Sequence, residues 1–197
     1  MKIFAICFLL ISCASCNLKE KETAKVKTYF DLESYFKNEA KRLGLSTQTI
    51  DKTVSINGKI ENKTVTINNW ERELSAFTEA DINKASWRGA FKKTVTEEQI
   101  SLDEKSGHHL LAHTRTSYTS DSEKIPIKKL EVMKVAGKIS YVKIFIQNAN
   151  DLYTSADSLS YYPDSLYEIK KVQKIKLMDE KRYGIRGNLK KKPTKLK

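Results

Sequence analysis

The residues with the densest chemistry are the histidines. His108-His109-Leu110-Leu111-Ala112-His113 places His109 and His113 four apart, the spacing at which one face of a helix presents two imidazoles to zinc. The metalloprotease pattern requires Glu directly after the first of the pair, and Leu110 stands there. The Thr-rich continuation to Tyr118 reads as strand, which would set the two imidazoles about 13 Å apart at ~3.3 Å per residue. One ion cannot span that distance, so the expectation is partly exposed strand histidines and no metal. There is no G-x-S-x-G elbow, phosphate-binding glycine loop or dinucleotide fingerprint. The carboxylate pairs Glu97-Glu98 and Asp179-Glu180 fall in segments that read as turns. The three cysteines, Cys7, Cys13 and Cys16, all precede Asn17, leaving no thiol nucleophile, CxxC site or disulfide framework in the rest. No catalytic set assembles, and the expectation is a protein that is not an enzyme and has no cofactor.

The cysteines belong to a different pattern. Met1-Lys2 precedes nine apolar residues, Ile3 to Ile11, and then the small-residue segment Ser12-Cys13-Ala14-Ser15-Cys16. Nine helical residues rise only about 14 Å against a ~30 Å hydrocarbon core, so the segment reads as a secretion leader rather than a lasting span. It resembles a bacterial lipoprotein signal, in which a Cys sulfur is diacylglycerated and becomes the N-terminus after leader removal. Leu10-Ile11-Ser12-Cys13 matches the lipobox best but leaves a short leader. Cys13-Ala14-Ser15-Cys16 gives a more usual length with an atypical Cys three residues before the acceptor. Cys16 is the preferred acceptor and Cys13 the competing one; plain secretion with cleavage after Ala14 is the alternative. The resemblance implies an exported protein held by acyl chains on the cell membrane or outer membrane. Residues 1–16 are then the signal, and polar residues 17–28 a tether.

Composition agrees with a folded body: 40% of residues are hydrophobic and 30% charged, too apolar for a wholly disordered chain. The charge is uneven. Of a formal +12, the last 33 residues, from Ser165, carry +9. The basic tail at 190–197, with Lys190, Lys191, Lys192 and Lys195, is a candidate contact for an anionic surface at about 1 kcal/mol per basic residue that reaches it. Tyr141, Tyr153, Tyr161, Tyr162, Tyr167 and Tyr183 interleave with Lys170, Lys171, Lys174, Lys176 and Arg186. Such mixtures also mark single-strand nucleic-acid surfaces. Export argues against nucleic acid as a partner, and aromatic residues on a half-buried sheet account for the pattern. Asp157-Ser158-Leu159 and Asp164-Ser165-Leu166 resemble the Asp-Ser-aliphatic acceptor of O-glycosylation in exported Bacteroidetes proteins, which makes Ser158 and Ser165 candidate glycosylation sites.

The elements that would position these residues follow from periodicity. Leu32, Tyr35, Phe36, Ala40 and Leu43 recur at helical spacing, with Asp31 as cap and Gly44 as a left-handed stop. Residues 53–60 alternate around Asn57-Gly58, a hairpin signal, and Thr64 to Ile67 continue as strand. A second helix is expected from Trp70 to Ile82, with Asn68 and Glu71 as a capping box. After Asn83 the period becomes two. Strands are expected at 86–96, 108–118, 127–135, 139–146, 158–162, 167–177 and 182–189. The whole reads as one α+β domain over 29–189: a large curved antiparallel sheet with two N-terminal helices packed on it. Helices followed by a long antiparallel run resemble the layout of Lol-type lipoprotein carriers, and Trp70 ahead of Arg88-Gly89-Ala90-Phe91 is similar to the membrane-bound member. The chain also resembles small exported Bacteroidetes lipoproteins of no assigned activity. The expected function is a non-catalytic binding or assembly module of the envelope with a protein or glycan partner. The alternative is a carrier of a hydrophobic ligand, which needs a dry cavity lined by Leu, Ile and Phe.

Overall fold

In the computed structural model, which describes residues 27–45, 49–101 and 110–189, the two-residue period resolves into one antiparallel sheet of nine strands. Helix α1 (Leu32–Gly44) starts where the Asp31 carboxylate accepts the Ser34 N–H at 3.0 Å. It buries Leu32, Phe36, Ala40 and Leu43 as one stripe. Gly44 is its last helical residue and not a left-handed stop; Leu45 ends the helix in ordinary right-handed geometry. Strands β1 (Thr49–Ile56) and β2 (Lys59–Thr66) meet across Asn57 and Gly58, both at positive φ as a tight hairpin of this hand requires.

The second helix departs from expectation. It is two short pieces, α2 (Trp70–Glu73) and α3 (Ser75–Glu79), broken at Leu74, with Asn69 rather than Asn68 as the cap. Pieces this short draw their stability from packing, and Trp70, Leu74 and Phe77 are all buried. The segment expected as strand from Ser86 begins instead with a 3₁₀ turn, Ala85–Trp87. Gly89 at φ +77° turns the chain before β3 (Lys92–Ser101). Glu97 and Glu98 therefore lie within β3 and not in a turn. The remaining strands are β4 (Leu110–Thr119), β5 (Ile127–Val135), β6 (Lys138–Ala149), β7 (Tyr153–Tyr162), β8 (Leu166–Ile175) and β9 (Lys181–Asn188). β7 begins five residues earlier than the pattern suggested.

The order across the sheet is β2-β1-β9-β8-β7-β6-β5-β4-β3. Neighbours in sequence pair, as expected of hairpins. The exceptions are β2 and β3, which do not pair, and β1, which besides β2 pairs with β9 in antiparallel register from Asp51↔Asn188 to Ile56↔Tyr183. The first hairpin thus docks beside the last strand, and the helical segment carries the chain from one edge, β2, to the other, β3.

Alternation splits each strand between two faces. On one face the register builds the row Leu130, Ile144, Leu159, Ile169, Ile185, Val54, and beside it Val132, Val142, Tyr161, Tyr167, Gly187, Lys52. The helices pack here. Phe36 of α1 stacks on Phe77 of α3 at 4.7 Å, and both meet the Tyr161 ring edge-on. Tyr161 donates its hydroxyl to Glu39 of α1, and Tyr167 donates to Glu73 of α2, whose carboxylate also takes Lys52 at 2.6 Å. Burial first, and the adjacent carboxylates second, push both phenols far above their ordinary range, so each stays a donor.

Asp157 lies on the same face with Oδ1 buried and unpartnered and Oδ2 3.7 Å from the Lys171 ammonium. Burial pushes this carboxyl up, and Lys171 offsets that only in part. A carboxyl with a raised folded-state pKa contributes stability in acid and loses it as pH rises through that value. Asp157→Asn is therefore expected to raise the stability of the fold at neutral pH relative to acid. It should also flatten the urea midpoint between mildly acidic and neutral pH. A variant whose midpoint falls as steeply as the parent's over that range would contradict this account.

Candidate functional site

The opposite face of the sheet has no described helix on it. Its rows run Ser117, Glu131, Lys143, Ser160, Glu168, Arg186, Thr53, and beside them Lys129, Phe145, Ser158, Lys170, Gly184, Ser55, Ile60. Lys143, Phe145, Ser158, Lys170 and Arg186 are exposed. Strands lie ~4.8 Å apart, so Lys143 and Arg186, three strands apart in one row, stand about 14 Å from each other.

Described residues line two concavities on this face. The larger, about 450 Å³, spreads over β1, β2, β8 and β9 and is bordered by Lys170, Arg182 and Arg186 above Ser55, Ile60 and Val172. Gly184 forms part of its floor: a Cβ there would come 2.5 Å from Ser55 Oγ. The smaller, about 190 Å³, lies over Lys129, Glu131, Lys143, Phe145 and Ser158.

The charges on this face are unevenly matched. Glu131 takes Lys129 at 2.8 Å, the Tyr141 hydroxyl at 2.6 Å and Ser117 Oγ at 3.4 Å. Burial pushes the Glu131 carboxyl up, but the hydrogen bonds from Lys129 and Tyr141 outweigh it and hold the group below its usual range. Tyr141 is pushed up by burial and by Glu131, so its oxygen stays protonated and is no nucleophile. Glu168 takes Lys170 at 2.9 Å, and Arg182 takes Glu180 at 2.7 Å. Lys143 and Arg186 stand across from Glu131 and Glu168 in the register but make no ion pair within 4 Å among the described residues, since those carboxylates are taken by Lys129 and Lys170. Lys143 instead lies 4.6 Å over the Tyr141 ring and 5.8 Å from that of Tyr162. Those rings hold the ammonium against the sheet without neutralising it. The face therefore presents fixed cations beside aromatic and small polar groups, a surface that can hold carboxylate or other anionic groups by charge and hydrogen bonding.

The structure sorts the sequence candidates. The tyrosines do not form one surface: Tyr141 and Tyr162 lie on the open face, whereas Tyr161 and Tyr167 lie under the helices. Ser158 is exposed mid-strand at the rim of the smaller concavity, with Asp157 and Leu159 pointing to the other face. Ser165 is half-buried in the β7–β8 turn, where its N–H donates to Tyr162 O and its carbonyl accepts from Leu189. His113 is half-buried on β4 between Glu98 and Val135. No group of three metal-ligating side chains occurs among the described residues. His108, His109, Cys13, Cys16 and the tail lysines Lys190, Lys191, Lys192 and Lys195 lie outside the described residues.

Sequence reasoning missed Glu131, Lys143, Phe145 and Gly184 as members of one surface. Strand parity alone would have put Lys129 with Glu131, and Lys143 with Phe145. Which strands stand side by side is a matter of register. No protein-family model matches this chain, and neither the curated proteins nor the solved structures yield a match, so the chemistry of the open face carries the functional reading.

Proposed function

We propose that the protein is an exported, lipid-anchored binding module of the cell envelope, acylated at Cys16 or Cys13, with no catalytic role. Its open sheet face engages an anionic partner, an envelope protein or glycan. The observation that carries this reading is the contrast between the faces. One is filled by helices down to fully buried Phe36, Phe77, Tyr161 and Tyr167, while the other leaves Lys143 and Arg186 exposed beside grooves. A carrier of acyl chains would need apolar space between helices and sheet. The stacked and edge-on rings occupying that position favour the module over the carrier.

The test is binding of the full chain in detergent to polyglutamate and to polygalacturonate. Affinity is expected to fall with added salt, and Lys143→Glu/Arg186→Glu is expected to weaken it about tenfold, since two exposed charges are reversed. Indifference to both salt and the double substitution would sink the reading. Lipid extraction of the same preparation separates the carrier, because recovered acyl species beyond the covalent anchor would favour it.

A further inference from the structure

Four connections lie at the same end of the sheet: the β1–β2, β4–β5, β6–β7 and β8–β9 turns. Two of them touch, since Lys176 N–H donates to Leu152 O at 2.8 Å. Here the apolar side chains point into water. Leu177 is 99% exposed, Leu152 66% and Met178 51%, whereas the large apolar residues of the core are almost wholly covered. Leu177 also holds φ at +66°, a left-handed conformation that disfavours a residue with a Cβ and that glycine or asparagine usually fills. The turn is thus strained in a way that displays a leucine. Around it stand exposed Lys59, Lys174, Lys176, Lys181 and Arg182, against Asp151, Asp179 and Glu180, the last already taken by Arg182. Apolar tips inside a net cationic collar match the two layers of an anionic bilayer surface, acyl boundary and phosphate.

We infer that this end of the sheet docks on an anionic lipid surface, with Leu177, Met178 and Leu152 entering the interface. The chain enters the fold at the same end. Tyr29 packs on Phe91, which immediately precedes β3, at 5.4 Å. The domain would then stand on its turns, with its open face upright and accessible. This contact needs no acyl anchor, and of the collar only Arg182 also borders the larger groove of the open face.

The body of the chain beyond Cys16 has no cysteine, so one reporter can be placed at will. In the full chain with Cys7, Cys13 and Cys16 replaced by Ser, Asp179→Cys carries an environment-sensitive dye, and Ala136→Cys at the opposite end serves as control. The vesicles are phosphatidylethanolamine with phosphatidylglycerol, or phosphatidylcholine alone. A blue shift and quenching by brominated lipid chains are expected for the dye at 179 on the anionic vesicles, and neither for the dye at 136. Leu177→Glu/Met178→Glu should reduce the shifted fraction at least tenfold, and each lysine removed from the collar about fivefold. A dye at 179 that stays in water while the protein sediments with vesicles would overturn the inference. So would a shift that ignores Leu177→Glu/Met178→Glu, or one that grows with protein concentration in the absence of lipid, which would mark a second copy of the chain as the occupant.

Discussion

Alanine at Gly187 is expected to lower the stability of the fold by about 3 kcal/mol, at the upper end of what overpacking a core costs. Gly187 faces the helices directly opposite Tyr167, and a Cβ there would overlap Tyr167 Cε1 and Cζ and come 2.5 Å from its hydroxyl oxygen. The ring cannot swing away at low cost. It is fully buried, and its hydroxyl is held by Glu73, which Lys52 holds in turn. Moving it would unpair a buried donor and loosen α2 together with β1. Gly184→Ala, three residues away on the same strand and so on the other face, is the internal control. Its Cβ meets only Ser55 Oγ, a hydroxyl on the open face that can rotate aside, and the expected cost is below about 1 kcal/mol. Urea midpoints of the two variants check the difference. Equal destabilisation would mean that Tyr167 is not wedged as described.

Serine at Cys13 and Cys16 together is expected to move the protein from the membrane to the soluble fraction and to remove the acyl mass. Each buried methylene adds about 0.8 kcal/mol of anchoring, so two or more chains hold a protein where one is marginal. The single substitutions locate the acceptor: Cys16→Ser alone should release the protein and Cys13→Ser should not. Fractions must be washed at high salt, because a turn docked through lysines would survive a gentle wash and be lost in a harsh one. Full retention of the doubly substituted chain after that wash, with unchanged mass, would refute the anchor.

How far the sequence led depends on the range of each interaction. Asp31 could be read as a cap because a side chain and an amide three residues on decide that bond. Asn57-Gly58 could be read as a turn because positive φ is a property of those two residues. The alternation of β4 to β9 was legible because neighbouring side chains must leave a strand on opposite sides. The large antiparallel sheet follows from these local facts and short turns.

The break at Leu74 was not legible, since nothing in residues 70–82 reveals that Glu73 will be held by Tyr167 and Lys52 from two distant strands. Nor was the pairing of β1 with β9, which closes a loop of more than a hundred residues and is settled by burial across the whole sheet. That pairing places Thr53 beside Arg186, and Lys52 beside Gly187 within reach of Glu73. Periodicity divides Tyr161 from Tyr162 between two faces. It is silent on which face the helices cover, because that choice is made by the summed packing of Phe36, Phe77 and their partners and not by any short stretch of chain.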